Sequence, residues 1–171
     1  KKKIQRMQYR IQQAIHMTEY GMKTKHMEPF FEECKEEHLL TISLPGRQMT
    51  DKEMMTYISE HLEYCHQNHL TEELPIGSIV YKNQYLKGSY NENCYYVRIE
   101  KKRNYWLKPK GLYGTILHEG FYDTIHESVC KLLDFIEKEG YQVIGDMYEY
   151  EIHNHFTSQD IYKYLIQISI P

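Results

Sequence analysis

The chain has 171 residues, a formal net charge of −3 and 41% hydrophobic residues. That balance suits one globular domain with a sizeable core and offers no overall basic excess for nucleic acid. No run approaches the roughly 18 apolar residues of a membrane span, and no secretory signal pattern opens the chain. Cys34, Cys65, Cys94 and Cys130 have no close pairs, so neither a zinc ribbon nor a disulfide framework is suggested and a reducing cytoplasm is expected.

Residues 1 to 25 begin the chain with KKKIQRMQYRIQQAIHMTEYGMKTK. Ile4, Met7, Ile11, Ala14 and Thr18 step by three and four, and Ile15 and Met22 widen the stripe, which predicts a helix with a coiled-coil-like seam. Three heptads are marginal alone, so the stripe needs either a second copy or the chain's own domain to cover it. A loop containing Pro29 follows, then residues 38 to 45, HLLTISLP, read as a strand that Gly46 ends. Thr50-x-x-Glu53 is a capping box for a helix carrying Met54, Met55, Ile58, Leu62 and Cys65. Pro75 and Gly77 bracket a turn into a strand, IVYKNQYL, and the loop from Lys87 to Asn93 leads to the strand CYYVRIE. Lys101-Lys102-Arg103 with Lys108 and Lys110 surround Tyr105 and Trp106. This cluster has the charge and rings for nucleic acid, but between two halves of a domain it reads more simply as a solvated loop.

From Leu112 to Glu119 the sequence is β-rich, and Gly120 breaks it. Ile125, Val129, Leu132, Leu133 and Ile136 then recur at helical spacing, with Lys138 in the last turn and Gly140 at the expected left-handed cap. In the next strand, period-two geometry puts Met147, Glu149 and Glu151 on one face and Tyr148, Tyr150 and Ile152 on the other. The closing segment, DIYKYLIQISIP, places Tyr162 and Tyr164 on a common face that a neighbouring strand would set beside the two glutamates.

These pieces repeat. Leu44-Pro45-Gly46, a helix, Ile76-Gly77-x-x-x-Tyr81 and Tyr95-x-Val97-x-Ile99 parallel a later glycine, helix, Ile144-Gly145-x-x-x-Glu149 and Tyr164-x-Ile166-x-Ile168. The expected fold is α+β: duplicated strand-helix-strand-strand units forming an antiparallel sheet with two helices on one face and a cleft between the halves. The long N-terminal helix precedes it. The repeat aligns Tyr81 with Glu149 and Tyr95 with Tyr164, so tyrosine and glutamate would face each other across the cleft.

His118-x-Gly120-x-Tyr122, the helix and Gly145-x-x-Tyr148-Glu149 resemble the second half of the gyrase-inhibitor-like effector-binding domain, the ligand sensor of many bacterial transcription regulators. The resemblance covers roughly residues 36 to 171. It implies a pocket in which the glutamate at Glu149 faces the bound molecule. Where the family often has tyrosine two positions later, this chain has Glu151, which implies a more acidic pocket. In MerR-family regulators a long helix of the kind seen at the start joins a winged-helix DNA-binding domain to the sensor. The resemblance therefore implies a dimerisation helix at 1–25, an effector-binding domain at 26–171, a homodimer, and contact with DNA only through a domain absent from this chain.

A buried glutamate costs several kcal/mol unless it is paired, and a ligand cation would relieve that cost while tyrosines supply hydroxyls and ring faces. Glu149, Glu151, Tyr81, Tyr95, Tyr162, Tyr164, Phe121 and Trp106 are the candidate ligand-binding residues for a hydrophobic, cationic small molecule. Two alternatives stand beside the sensor. One is a hydrolase using Glu149 with Tyr81 or Tyr164 as base and proton donor, and the other a protein-docking inhibitor. No membrane partner, cofactor or metal is expected. His61, Cys65 and His69 share a helix face, yet three ligands spread over two turns cannot reach one ion without strain, and His153 with His155 borders a turn.

Overall fold

In a computed structural model, described for residues 2–68, 70, 77–99, 105–154 and 157–171, the strands form one eight-stranded antiparallel sheet. The helices are α1 (Lys2–Lys23), α2 (Asp51–Gln67), the single turn α3 (Lys82–Tyr85) and α4 (Ile125–Lys138). The strands are β1 (Phe30–Cys34), β2 (Glu37–Ser43), β3 (Gly77–Val80), β4 (Cys94–Ile99), β5 (Trp106–Lys108), β6 (Gly111–Glu119), β7 (Met147–His153) and β8 (Leu165–Ile170). Their order across the sheet is β1-β6-β8-β7-β3-β4-β2-β5. The two units β2-α2-β3-β4 and β6-α4-β7-β8 thus meet at the central pair β3 and β7, as the repeat predicts.

Local chemistry explains the helices. Thr50 and Glu53 form the expected reciprocal capping box at α2. At the end of α4 the chain turns through Gly140, whose φ of +82° is in the left-handed region, and the Tyr141 amide returns to the Ile136 carbonyl at 3.0 Å. Val129, Leu132 and Ile136 of α4 pack on Ile116, Ile166, Ile168, Ile170, Met147 and Val80. Cys65 of α2 packs on Leu40 and Val97. Because paired residues of an antiparallel sheet share a face, the registers Leu40 with Val97, Tyr95 with Ser78, Ser78 with Glu149 and Glu149 with Ile168 put both helices on the Glu149 face.

The sheet curls on its other face. Trp106 Nε1 of edge strand β5 donates to the Tyr148 hydroxyl of β7 at 3.1 Å, although three strands lie between them. Lys108 Nζ of β5 stands 5.1 Å from the Tyr113 ring of β6, near the opposite edge. This concave face holds Leu39, Ile79, Cys94, Tyr96, Tyr113 and Tyr148. At one end Met17, Tyr20 and Gly21 of α1 close it by packing on Leu117, Ile152 and Leu165. Tyr20 is held by Glu32 at 3.1 Å and by Gln167 at 3.2 Å.

Three local expectations differ from the structure. The strand from Ile79 stops at Val80, because Asn93 Oδ1 accepts the Tyr81 amide and Asp146 Oδ1 accepts the Lys82 amide, which starts the turn α3 instead of a ladder. The chain after Pro29 forms β1, and the basic segment read as a loop forms β5, in which Lys108 is buried against Glu37. Each short strand pairs with the far half, β1 with β6 and β5 with β2, so the two units exchange their leading strands. Pro75, Ile76, His69, the Lys101-Lys102-Arg103 run and His155 lie outside the described residues.

Candidate functional site

Where β3 and β7 meet, Glu149 lies between the two helices on the sheet's helical face. Its residue is 3% exposed. Ser78, directly opposite on β3, donates its hydroxyl to Glu149 Oε2 at 2.6 Å. Among the described residues nothing donates to Oε1, although that atom is buried. Burial, the Glu92 charge and the Glu151 charge push the Glu149 carboxyl up to about 8, with the Ser78 hydrogen bond opposing them. The side chain is therefore a buried acid with one acceptor atom left over.

Glu151, one step further on the same face, accepts from the Tyr122 hydroxyl and, at 2.6 Å, from Asn154 Nδ2. Burial raises the Glu92 carboxyl as well; its own backbone amide opposes that and the Glu151 charge adds to it. Tyr95 sits across from Ser78, and its phenol is held protonated by burial and by the charges of Glu92, Glu151 and Glu149. The Tyr122 phenol is raised by burial and by the same three carboxylates. The site is thus three acids and two phenols around one sheet position.

Tyr122 reaches the site through the turn after β6. His118 is fully buried, with Nε2 3.0 Å from the Phe121 carbonyl and Nδ1 2.8 Å from Ser128 Oγ of α4. It ties the turn to the helix, and Gly120, at φ +131°, lets the chain reverse. This gives a physical role to each member of the His-x-Gly-x-Tyr motif.

Of the eight sequence-predicted residues, Glu149, Glu151 and Tyr95 are brought together. Tyr164 is buried at the margin, its ring 6.0 Å from that of Phe121. Tyr162 is 76% exposed in the 3-10 turn Ile161–Lys163 before β8. Tyr81 and Trp106 are not in this cluster: they stack on each other at 6.2 Å on the concave face, and the Tyr81 hydroxyl meets Cys94 Sγ at 3.4 Å. The repeat set Tyr81 opposite Glu149, but the ladder sets Ser78 there, and the same register puts Tyr81 on the other face of the sheet. That removes Tyr81 as a proton donor to Glu149. Ser78, Glu92 and Tyr122 were missed; Tyr122 stood in the quoted motif, whereas no periodicity marks a loop glutamate or a strand serine.

Two surface depressions of about 540 and 550 Å³ lie elsewhere, one beside Tyr81, Lys82 and Asp146 and one beside Glu33, Cys34 and Lys110. Among the described residues no three His, Cys, Asp or Glu side chains are placed to hold one metal ion; His61 is buried, its Nε2 3.5 Å from Cys65 Sγ. No described helix is long and apolar enough to cross a membrane.

No protein-family model matches the chain. It is 29% identical over 154 residues to the multidrug-efflux transporter 2 regulator of Bacillus subtilis, covering 85% of this chain and 54% of that protein. The chain thus spans about half the length of this curated relative. Among solved structures, EcmrR in its DNA complex superposes with a TM-score of 0.63 at 17% identity, covering 99% of this chain and 67% of that one. The EcmrR C-terminal domain alone gives 0.60 at 16% identity, with 84% and 96% covered. A hydrolase from Listeria innocua gives 0.53 at 10% identity, with 90% and 95% covered; at these identities the solved structures speak to the fold. The chain is thus similar in sequence to a bacterial multidrug-efflux regulator and has the fold of the EcmrR C-terminal domain, in keeping with the resemblance around His118, Gly120, Tyr122 and Glu149.

Proposed function

We propose that this chain senses a hydrophobic organic cation at Glu149 and reports its presence through α1. The observation that carries this reading is the buried Glu149 carboxyl with an unpartnered oxygen. A cation relieves both the burial cost and the repulsion from Glu92 and Glu151, and the rings of Tyr95 and Tyr122 add attraction.

A continuous set of contacts links the site to α1. Tyr122 holds Glu151, His118 holds the adjoining Phe121 carbonyl and Ser128, and Ser128 Oγ lies 3.7 Å from Met27 Sδ. Met27 has a positive φ of 61°; its amide donates to the Leu117 carbonyl at 2.8 Å and its carbonyl accepts from Lys131 Nζ at 2.6 Å. Beside it His26 bridges Glu119 and the Gly21 carbonyl, each at 2.8 Å. The junction where α1 leaves the domain therefore rests on the end of the strand that carries the ligand-side turn. Differential binding to two settings of that turn would reset α1.

A sensor is preferred to a hydrolase because the Bacillus subtilis relative is a regulator and because Tyr81, one of the two tyrosines considered as proton donor, lies on the other face of the sheet from Glu149. Contact with DNA belongs to a domain outside this chain. The direct test is calorimetry with tetraphenylphosphonium and its near-isosteric anion tetraphenylborate. Binding of the cation alone is expected; equal binding, or binding of the anion only, removes Glu149 from the site.

α1 carries the dimer in this reading. Ile4, Met7, Ile11 and Ile15 are each more than half exposed, along a stripe that the chain's own domain does not cover. Sedimentation is expected to show a dimer that Ile11→Asp with Ile15→Asp converts to a folded monomer. A wild-type monomer at high concentration would rule the helix out as the dimer contact.

A further inference from the structure

We infer that the Glu149 site is built for a dication: Glu92 and Glu151 make a second acidic subsite beside Glu149, and the preferred effector carries two positive charges on an apolar spacer. This rests on the reading of Glu149 as the ligand-facing acid. Glu149 and Glu151 are two residues apart on one face of β7, a rise of about 7 Å. Glu149 presents a buried oxygen with no donor among the described residues. Glu151 is held as an acceptor by Tyr122 and Asn154.

Glu92 adjoins Asn93, which anchors its loop to the sheet. Asn93 donates its amide to the Ile79 carbonyl at 2.8 Å, and its carbonyl accepts from the Leu44 amide at 2.8 Å. Its side chain accepts from the Tyr81 amide at 2.8 Å and donates to Gln84 Oε1 at 2.9 Å. The loop is thereby clamped to the end of β3, next to Ser78 and Glu149, and Glu92 is the charge that bears most strongly on both Glu149 and Tyr95. Among the described residues no lysine or arginine acts on Glu149 or Glu92.

Charge balance then selects the ligand. A monocation on Glu149 leaves two carboxyls that either repel each other or hold protons. A second positive charge about 7 Å away offsets them, while Tyr95, Tyr122, Phe121 and Tyr164 favour an apolar connection over a hydrated one.

The test compares pentamethonium, with two quaternary ammonium ends, against pentyltrimethylammonium at pH 8.5 by calorimetry. Two equivalent ends give the dication a twofold statistical advantage, so the expected preference is at least about tenfold, from the extra ion pair in a partly dry site. Glu92→Gln should bring that ratio down toward two, with circular dichroism confirming the fold. A wild-type ratio near two overturns the inference, and so does an undiminished ratio in Glu92→Gln. If the monocation binds and Glu149→Gln abolishes that binding while no dication preference is seen, the second subsite falls and the cation sensor stands. If neither compound nor tetraphenylphosphonium binds, both readings fall.

Discussion

Glu149→Gln is expected to make the ligand-free protein more stable at pH 8.5 and to weaken a bound cation by roughly 100-fold. In the fold the carboxyl titrates near 8, while in the unfolded chain it titrates near its ordinary 4.5. Between those values the native state keeps the proton that the unfolded state has lost, so wild-type stability falls as pH rises from about 4.5 to about 8 and levels off above. For a fully buried group this fall amounts to a few kcal/mol. Glutamine retains the shape and can still accept from Ser78 but has no proton to lose. Melting temperatures measured at pH 5.5, 7 and 8.5 should therefore decline in the wild type and decline much less in the variant. Some slope remains in the variant because burial raises Glu92 in the same direction. The ligand sees the opposite trend: a cation prefers the carboxylate, so tetraphenylphosphonium affinity should climb toward pH 8 in the wild type and stay flat in Glu149→Gln. Parallel pH profiles for the two proteins would mean that Glu149 does not ionise at the site.

Gly77→Ala is expected to cost about 3 kcal/mol or more. A Cβ at Gly77 would run into the Glu149 carbonyl oxygen and the ring of Tyr96, both of them fully or nearly fully buried. The Tyr96 hydroxyl donates to that same Glu149 carbonyl at 2.8 Å, so a methyl group would both expel the ring and push β7 away from β3. Tyr96→Phe isolates the hydrogen bond and should cost only about 1 kcal/mol. Urea denaturation of the two variants decides the point: if Gly77→Ala is no worse than Tyr96→Phe, the close approach is not what demands glycine here. Because the displaced strand carries Glu149, the alanine variant should also lose ligand affinity, whereas Tyr96→Phe should keep most of it.

The amphipathic helices, their caps, the Glu149 face of β7 and the duplicated order of elements were legible in the sequence. Each is a local pattern: apolar residues three and four apart in α4, Thr50 with Glu53, the alternation from Met147 to Ile152. So was the kinship around His118, Gly120, Tyr122 and Glu149, because a motif is a local pattern as well. What the chain could not disclose is long-range. β1 and β5 are too short and too polar to announce themselves, and they become strands only because the far half offers an open edge. Ser78 rather than Tyr81 stands opposite Glu149 because the register of β3 on β7 pairs Gly77 with Tyr150 and Val80 with Met147, which puts Tyr81 on the other face. The same tertiary closure brings a loop residue, Glu92, and a turn residue, Tyr122, beside a strand glutamate. Local periodicity determined which side chains share a face; only the pairing of the two halves decided which acids and phenols share a site, since that depends on register between segments about seventy residues apart.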